Sequence, residues 1–191
     1  MSTIQILNKE TLSDKKYPLR YITFEKPDLQ GKFQNLAKEV YFRPDVIAVL
    51  LVDDERKTIL LVKQFRLPTF LNGNDSGYLV EACAGIIEEG ETPEQTVYRE
   101  AAEETGFRIH GLEKIGGAYS SPGATTEYIH PYIARYNKES KISAGGGLAA
   151  EGESIELIEL TFEEAKEQLK QCAFRDLKTI LLLQHFFSSG D

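Results

Sequence analysis

The sequence predicts an α/β or α+β sandwich, a sheet packed with helices, and three observations carry that prediction. Short apolar runs of strand length surround one strongly capped helix, further helix follows toward the C-terminal end, and strand and helix do not alternate regularly. The last point argues against a doubly wound parallel sheet. A chain of 191 residues suits one domain with a small appendage.

Ile4–Leu7, Leu19–Glu25 and Glu39–Arg43 read as extended segments, separated by polar stretches such as Asp28-Leu-Gln-Gly31. A unit of residues 1–43 buries little by itself, so it is expected to pack on the main domain, 44–191, or on another subunit. Val46–Val52 is an apolar run typical of a buried strand, Asp53-Asp-Glu-Arg-Lys57 breaks it, and Thr58–Arg66 completes a hairpin. Asn72-Gly-Asn-Asp-Ser-Gly77 is turn chemistry, and Tyr78–Ala84 is a third strand ending at Gly85. Thr92-Pro93-Glu94-Gln95 opens a helix: Thr92 caps, Pro93 suits the first helical position, and Gln95 completes a capping box. Gly106 is the expected left-handed stop. Ile115–Ser120, Tyr128–Tyr136 and Ile155–Leu160 read as strands. Thr161-x-x-Glu164 opens a helix to about Gln171, and a last helix covers about Asp176 to Phe187.

Composition narrows the function classes. With 41% hydrophobic and 27% charged residues, the chain is neither disordered nor a disulfide scaffold. A net charge of −8 weighs against nucleic-acid and anionic-membrane binding, as the lack of tryptophan does against the former, and suits a protein that meets cations or one that is simply soluble. MSTIQILNKE lacks the features of a signal peptide, and no apolar run approaches the roughly 18 residues of a membrane span. Cys83 and Cys172 show no metal-ligand spacing and read as thiols of a cytoplasmic protein. His110, His130 and His185 likewise lack metal spacing and read as structural or surface residues.

The informative segment is Gly85–Phe107. From Glu88 to Glu104 it carries seven glutamates against one base, Arg99. At 100° per residue, Glu100, Glu103 and Glu104 fall within about a 100° arc. Like charges one turn apart cost roughly 0.2–0.5 kcal/mol per pair, so the face asks for a counter-charge. Two readings are open: a solvated acidic face, or a site for a hard cation. Carboxylates without Cys or His suit Mg²⁺ or Mn²⁺, and Mg²⁺ typically takes one or two carboxylates plus substrate phosphate oxygens. No calcium-binding loop is present. Arg99, flanked by acids, reads as an ion-pair partner that orients them.

These residues resemble the Nudix box: Gly85, five residues, Glu91, seven residues, Arg99-Glu100-Ala101-x-Glu103-Glu104-x-Gly106-Phe107. Counting seven of these residues at about one in 15 each, with the two apolar positions left out, chance agreement is of the order of 10⁻⁸ per start site. The resemblance implies a mixed sheet between helices and a Mg²⁺-dependent (or Mn²⁺-dependent) hydrolase of nucleoside diphosphates linked to another moiety. It also implies Glu100 and Glu104 as metal ligands, Glu103 as a further acid, and the Ala84 carbonyl beside them. Every box acid is present, whereas a non-catalytic nucleotide-sugar sensor on this fold would usually have lost some.

Ser121-Pro122-Gly123, with its proline sixteen residues after Gly106, resembles the nucleoside diphosphate sugar branch that includes the ADP-ribose pyrophosphatases. Gln64-Phe65-Arg66, Asn72-Gly73-Asn74, Glu81-Ala82-Cys83-Ala84-Gly85, Thr126-Glu127-x-Ile129-His130, Ala144-Gly145-Gly146-Gly147 and Arg175-Asp176-x-Lys178-Thr179 are similar to the GDP-mannose pyrophosphatase subgroup. That likeness implies a homodimer built through the N-terminal strands. It also implies a small-molecule nucleotide sugar as substrate, with hydrolysis of GDP-mannose, or of ADP-ribose as the alternative. Tyr17, Lys38, Glu39, Arg66, Ala84, Glu104, Glu127 and Lys178 are the implied substrate contacts. The subgroup also places an acid after the glycines, as metal ligand or base. Register from Ile155-Glu156 favours Glu153, and Glu151 is kept beside it. The implied catalytic acids are therefore Glu153, Glu151, Glu103 and Glu104, and the implied metal ligands Ala84, Glu100, Glu104 and Glu153. Taken on its own, Arg66 reads either as a bidentate diphosphate ligand or as a surface arginine ending a strand. The triple glycine reads either as a loop whose amides approach a ligand or as a slack connector.

Overall fold

The computed structural model describes residues 4–148, 152 and 154–188. In chain order the strands are β1 (Gln5–Asp14), β2 (Pro18–Pro27), β3 (Phe33–Tyr41), β4 (Val46–Asp53), β5 (Thr58–Phe65), β6 (Tyr78–Glu81) and β7 (Cys83–Ile86). They continue with β8 (His110–Lys114), β9 (Ala118–Tyr119), β10 (Tyr128–Arg135) and β11 (Glu156–Thr161). The α-helices are α1 (Leu67–Leu71), α2 (Pro93–Glu100), α3 (Phe162–Lys170) and α4 (Leu177–Ser188).

The chain divides into two units, the first made of residues up to 45 with 118–128, the second of 46–117 with 129 onward. In the first unit β1, β2 and β3 form an antiparallel meander. Its β2–β3 turn is the polar stretch at Asp28: the Asp28 carboxylate accepts the Gln30 and Lys32 N–H groups at 2.9 Å, and Gly31 takes φ +84°. The strands run beyond the apolar segments read from the sequence, because backbone pairing carries on through their Lys, Glu and Thr residues. Residues 118–128 belong here through the Tyr41 N–H to Ala124 O bond (2.9 Å) and the Thr126 N–H to Tyr41 O bond (3.2 Å).

The second unit is built on a mixed sheet of order β11-β5-β4-β10-β8, with β6 on β5 and β7 on β4. β10 runs parallel to β4, and the β4–β5, β4–β7, β5–β6, β5–β11 and β8–β10 pairings are antiparallel. β4 is apolar from Val46 to Val52 because both faces are covered. Val46, Ala48, Leu50 and Val52 enter a core with Leu182 and Leu183 of α4 and Ala165 of α3. Ile47, Val49 and Leu51 enter another with Val97 of α2, Phe107 and Tyr132. The expected sandwich of a mixed sheet between helices is the observed architecture.

Differences are local. The strand expected at Ile115–Ser120 is shifted: β8 ends at Lys114 and β9 begins at Ala118. Gly116, at φ +134°, breaks the run, and β8 has an exposed edge face with no apolar alternation to reveal it. Tyr78–Ala84 is divided at Ala82 between β6 and β7. α1, at five residues, is too short to show a period. Among the described residues no helix is long and apolar enough to cross a membrane.

Candidate active site

The acidic helix starts as its sequence dictates. The Thr92 hydroxyl accepts the Gln95 N–H at 3.2 Å, and the Gln95 side chain accepts the Thr92 N–H at 2.8 Å, a reciprocal capping box with Pro93 following. Glu94 in the first turn accepts the Tyr132 hydroxyl at 2.7 Å, tying the helix to β10. After Glu100 the helix widens into a π-helical turn, Ala101–Thr105, and stops at Gly106 with φ +75°. The sequence pointed to a helix ending at Gly106 but carried no sign of the widening, which departs from 100° per residue just where the acids cluster. Such π turns recur at functional sites.

Arg99 supplies the counter-charge. Its Nε and Nη2 donate to the two Glu91 oxygens at 2.9 Å each, and its Nη1 donates to Glu100 at 2.8 Å and to Glu103 at 3.1 Å. Nη2 also reaches the Ile86 carbonyl at 3.1 Å. One guanidinium therefore orients three box acids and the strand end before them. Arg99 and Thr96 together hold the Glu91 carboxyl down to about 2, and Glu91, chiefly, raises Arg99 above its usual range. Arg99 is the orienting partner its sequence context suggested.

The segment Glu81–Gly85 is the spine of the site. Glu81, buried, accepts Arg66 Nε at 3.2 and 3.1 Å and Nη2 at 2.7 Å. The Ala82 N–H donates to Thr179 Oγ1 at 2.7 Å. The Ala84 N–H donates to Glu104 Oε2 at 3.3 Å. Gly85 lies under the Glu100 side chain, so closely that any Cβ there would collide with its carboxyl group. Glu104, although ionisable, is 2% exposed.

A second polar group meets the spine from α4. Asp176 accepts the Thr179 N–H at 2.9 Å as the helix cap, accepts the Thr179 hydroxyl at 2.7 Å, and pairs with Lys178 at 2.6 Å. Burial opposes ionisation of Asp176, but Lys178 and Thr179 outweigh it and hold the carboxyl below its usual value. At Arg66 burial is likewise the largest influence and is outweighed. Glu81, then Glu104 and Asp176, raise the guanidinium above its ordinary value. Arg66 thus lies in the field of both groups. Its side chain remains 39% exposed, so one edge of the fork is open to a further anion while Glu81 grips the other.

The donors fit a small hard cation. They are all oxygen, one is buried against a main-chain N–H, and glycine makes room for the other. Among the described residues no three Asp, Glu, His or Cys side chains converge at metal-binding spacing. Glu151 and Glu153 lie outside the described residues.

Of the residues singled out in the sequence, the structure brings Ala84, Glu100, Glu103 and Glu104 together, bonds Arg66 to Glu81 of the spine, and links Lys178 to it through Asp176 and Thr179. Tyr17, Lys38, Glu39 and Glu127 lie in the first unit. Tyr17 packs edge-on against Tyr41 with centroids 6.1 Å apart, under the Arg43 guanidinium at 4.4 Å. Arg43 pairs with Glu127 at 3.2 Å, so Tyr17 and Glu127 share one cation. Lys38 borders a groove with Ile6, Ile22 and Phe24, and Glu39, one residue on, points to the opposite face of the sheet. Sequence reasoning did not single out Arg43, Glu81, Asp176 and Thr179 for these roles. The last three lay inside quoted motifs, but only the fold shows what each one holds.

The family model of the NUDIX domain matches residues 42–183. The GDP-mannose pyrophosphatase of Cronobacter sakazakii is 43% identical over 98% of this chain and 96% of its own length. That of Pectobacterium atrosepticum is 40% identical over 99% and 96%, and that of Escherichia coli K12 is 40% identical over 97% and 96%. A crystal structure of an ADP compounds hydrolase superposes with a TM-score of 0.74 at 17% identity, covering 98% of this chain and 96% of that one, a likeness of fold. With a matching family model over most of its length, near-full-length relatives and two box acids of the helix, Glu100 and Glu104, set against β7, the chain belongs to the Nudix family.

Proposed function

We propose that the protein hydrolyses GDP-mannose to GMP and mannose 1-phosphate with Mg²⁺ (or Mn²⁺) as cofactor. The observation that carries this reading is the spine Glu81–Gly85, which meets the acids Glu100 and Glu104 at one end and, through Glu81, the Arg66 guanidinium at the other. Relatives named for this activity at 40–43% identity support the choice of substrate. In this reading Glu100, Glu104 and the Ala84 carbonyl hold the metal, with Glu153 as a further ligand. When bound, the metal offsets charge on the diphosphate and lowers the pKa of water. Arg66 and Lys178 grip phosphate oxygens, and Arg99 keeps Glu100 and Glu103 in place. Glu153, Glu151 or Glu103 accepts the proton of the attacking water. The water oxygen bonds to one phosphorus, the bond from that phosphorus to the bridging oxygen breaks, and the bridging oxygen leaves with the other phosphate. Tyr17, Lys38, Glu39 and Glu127 contact the nucleotide and sugar.

The active form proposed is a homodimer. The first unit leaves Ile6, Leu7, Leu12 and Phe33 each about half exposed, as a sheet awaiting a second copy would. Light scattering is expected to give twice the chain mass of 21.5 kDa. A monomer would remove the dimer from the proposal. The activity is tested by product release from GDP-mannose and ADP-ribose in parallel, with Mg²⁺ and with EDTA. Faster release from GDP-mannose, abolished by EDTA, is expected. Preference for ADP-ribose would keep the box chemistry and overturn the assignment of the base.

A further inference from the structure

The glycine run Gly145-Gly146-Gly147 lies against the C-terminal end of the acidic helix. The Gly146 N–H donates to the Glu104 carbonyl at 2.8 Å, and the Gly147 N–H to the Glu103 carbonyl at 3.2 Å. The Ile142 and Ser143 N–H groups donate to the Gly106 carbonyl at 2.7 and 3.2 Å. The last carbonyls of a helix have no partner within it and carry its partial negative charge. Here a strap from 40 residues further along the chain supplies their donors. The two carbonyls taken by glycine N–H groups are those of two box acids.

The approach is close enough to require glycine. A Cβ on Gly145 would stand 2.6 Å from the Thr105 carbonyl carbon and 2.7 Å from the Glu104 carbonyl oxygen. Both are main-chain atoms, which cannot swing aside as a side chain can. Gly106 is matched to it: a Cβ there would come within 2.8 Å of the Gly145 N and would also strike the Ser143 carbonyl oxygen. The run takes φ values of +70°, +107° and +76°, left-handed throughout. Beyond it, the Gly146 carbonyl accepts the Ile155 N–H at 3.2 Å, one residue before β11, so the strap is anchored to the sheet.

We infer that this glycine strap positions Glu104, and that Gly145 is a positioning residue for cation binding. Glu104 is held at two points: its carboxylate by the Ala84 N–H, and its carbonyl by the strap. Pushing the strap outward releases the second point, and the buried carboxylate shifts with its own backbone. The inference rests on the proposed role of Glu104 as a metal ligand and assigns Gly145 no contact with substrate.

The test is a direct Mn²⁺ titration of the full chain without nucleotide, read by electron paramagnetic resonance, alongside thermal unfolding. Gly145→Ala is compared with Gly73→Ala. Gly73 sits at φ +91° with nothing within 4 Å of a Cβ, so its variant meets the same backbone strain in open space. Partners that orient metal ligands are typically worth about 10–100-fold in affinity. Gly145→Ala is expected to weaken Mn²⁺ binding by about tenfold or more. Gly73→Ala is expected to lower the melting temperature without changing affinity. Should Gly145→Ala fail to fold, Gly146→Ala replaces it, because the nearest atom to its Cβ is the Ile155 carbonyl oxygen at 3.9 Å. Strain at φ +107° then displaces the strap, and weaker Mn²⁺ binding is again expected. A folded strap variant that binds Mn²⁺ as the parent does overturns the inference alone. A parent protein that takes up no Mn²⁺ overturns both the inference and the metal reading beneath it.

Discussion

Glu104→Gln is expected to abolish nearly all turnover while leaving the protein folded. The side chain is 2% exposed, and its Oε2 accepts the Ala84 N–H at 3.3 Å. Glutamine has the same shape, and its amide oxygen can accept that bond. The buried negative charge is lost, and with it repulsion against Glu100 and Glu103 in the adjoining turns. Stability should therefore hold or rise slightly, as it often does when an active-site strain is relieved. The melting temperature should move by only a few degrees, about 2–4 °C per kcal/mol in a chain of this size. Losing one anionic ligand removes several kcal/mol of charge stabilisation in the transition state. At 1.36 kcal/mol per tenfold, that is a loss of about 10³-fold or more in kcat. Steady-state kinetics with GDP-mannose checks it. Activity within tenfold of the parent would show that Glu104 does not hold the metal.

The helix carrying these acids was legible because its signals are local. Thr92, Pro93 and Gln95 announce its start within four positions, and Gly106 its stop. β4 was legible for a related reason, since burial on both faces leaves an unbroken apolar run. Partners drawn from distant parts of the chain were not legible. Nothing near Glu81 in sequence says that it meets Arg66, fifteen residues back, or that Ala82 donates to Thr179, 97 residues on. Those pairings exist only once β5, β6 and α4 are side by side. The glycines at 145–147 were conspicuous as letters, yet both sequence readings, a ligand-facing loop and a slack connector, missed what their described backbone does. Glycine signals a close approach or a left-handed turn without naming what is approached. Here it is the backbone of the helix itself.

Gly85→Ala is expected to separate chemistry from folding at a residue that carries no charge of its own. Gly85 is not among the left-handed glycines, so alanine incurs no backbone strain there. It pairs with Ile47 inside the β4–β7 ladder, where alanine is tolerated. What the added methyl group meets is the Glu100 carboxyl. The clash reaches the Glu100 Cγ as well, so the whole side chain must turn about its Cα–Cβ bond, which moves no backbone and leaves the fold intact. In rotating it leaves the position that the 2.8 Å bond from Arg99 Nη1 now maintains. A displacement of about 1 Å in a catalytic arrangement commonly costs about 10²-fold, and that is the loss expected in kcat. The melting temperature should stay within a few degrees of the parent. A double-mutant cycle with Glu100→Gln decides whether Glu100 is the cause, because residues acting through one contact do not add. Gly85→Ala should then make Glu100→Gln little worse than it is alone. If the two losses instead multiply, the methyl group acts on something other than Glu100, and the cradle assigned to Gly85 is wrong.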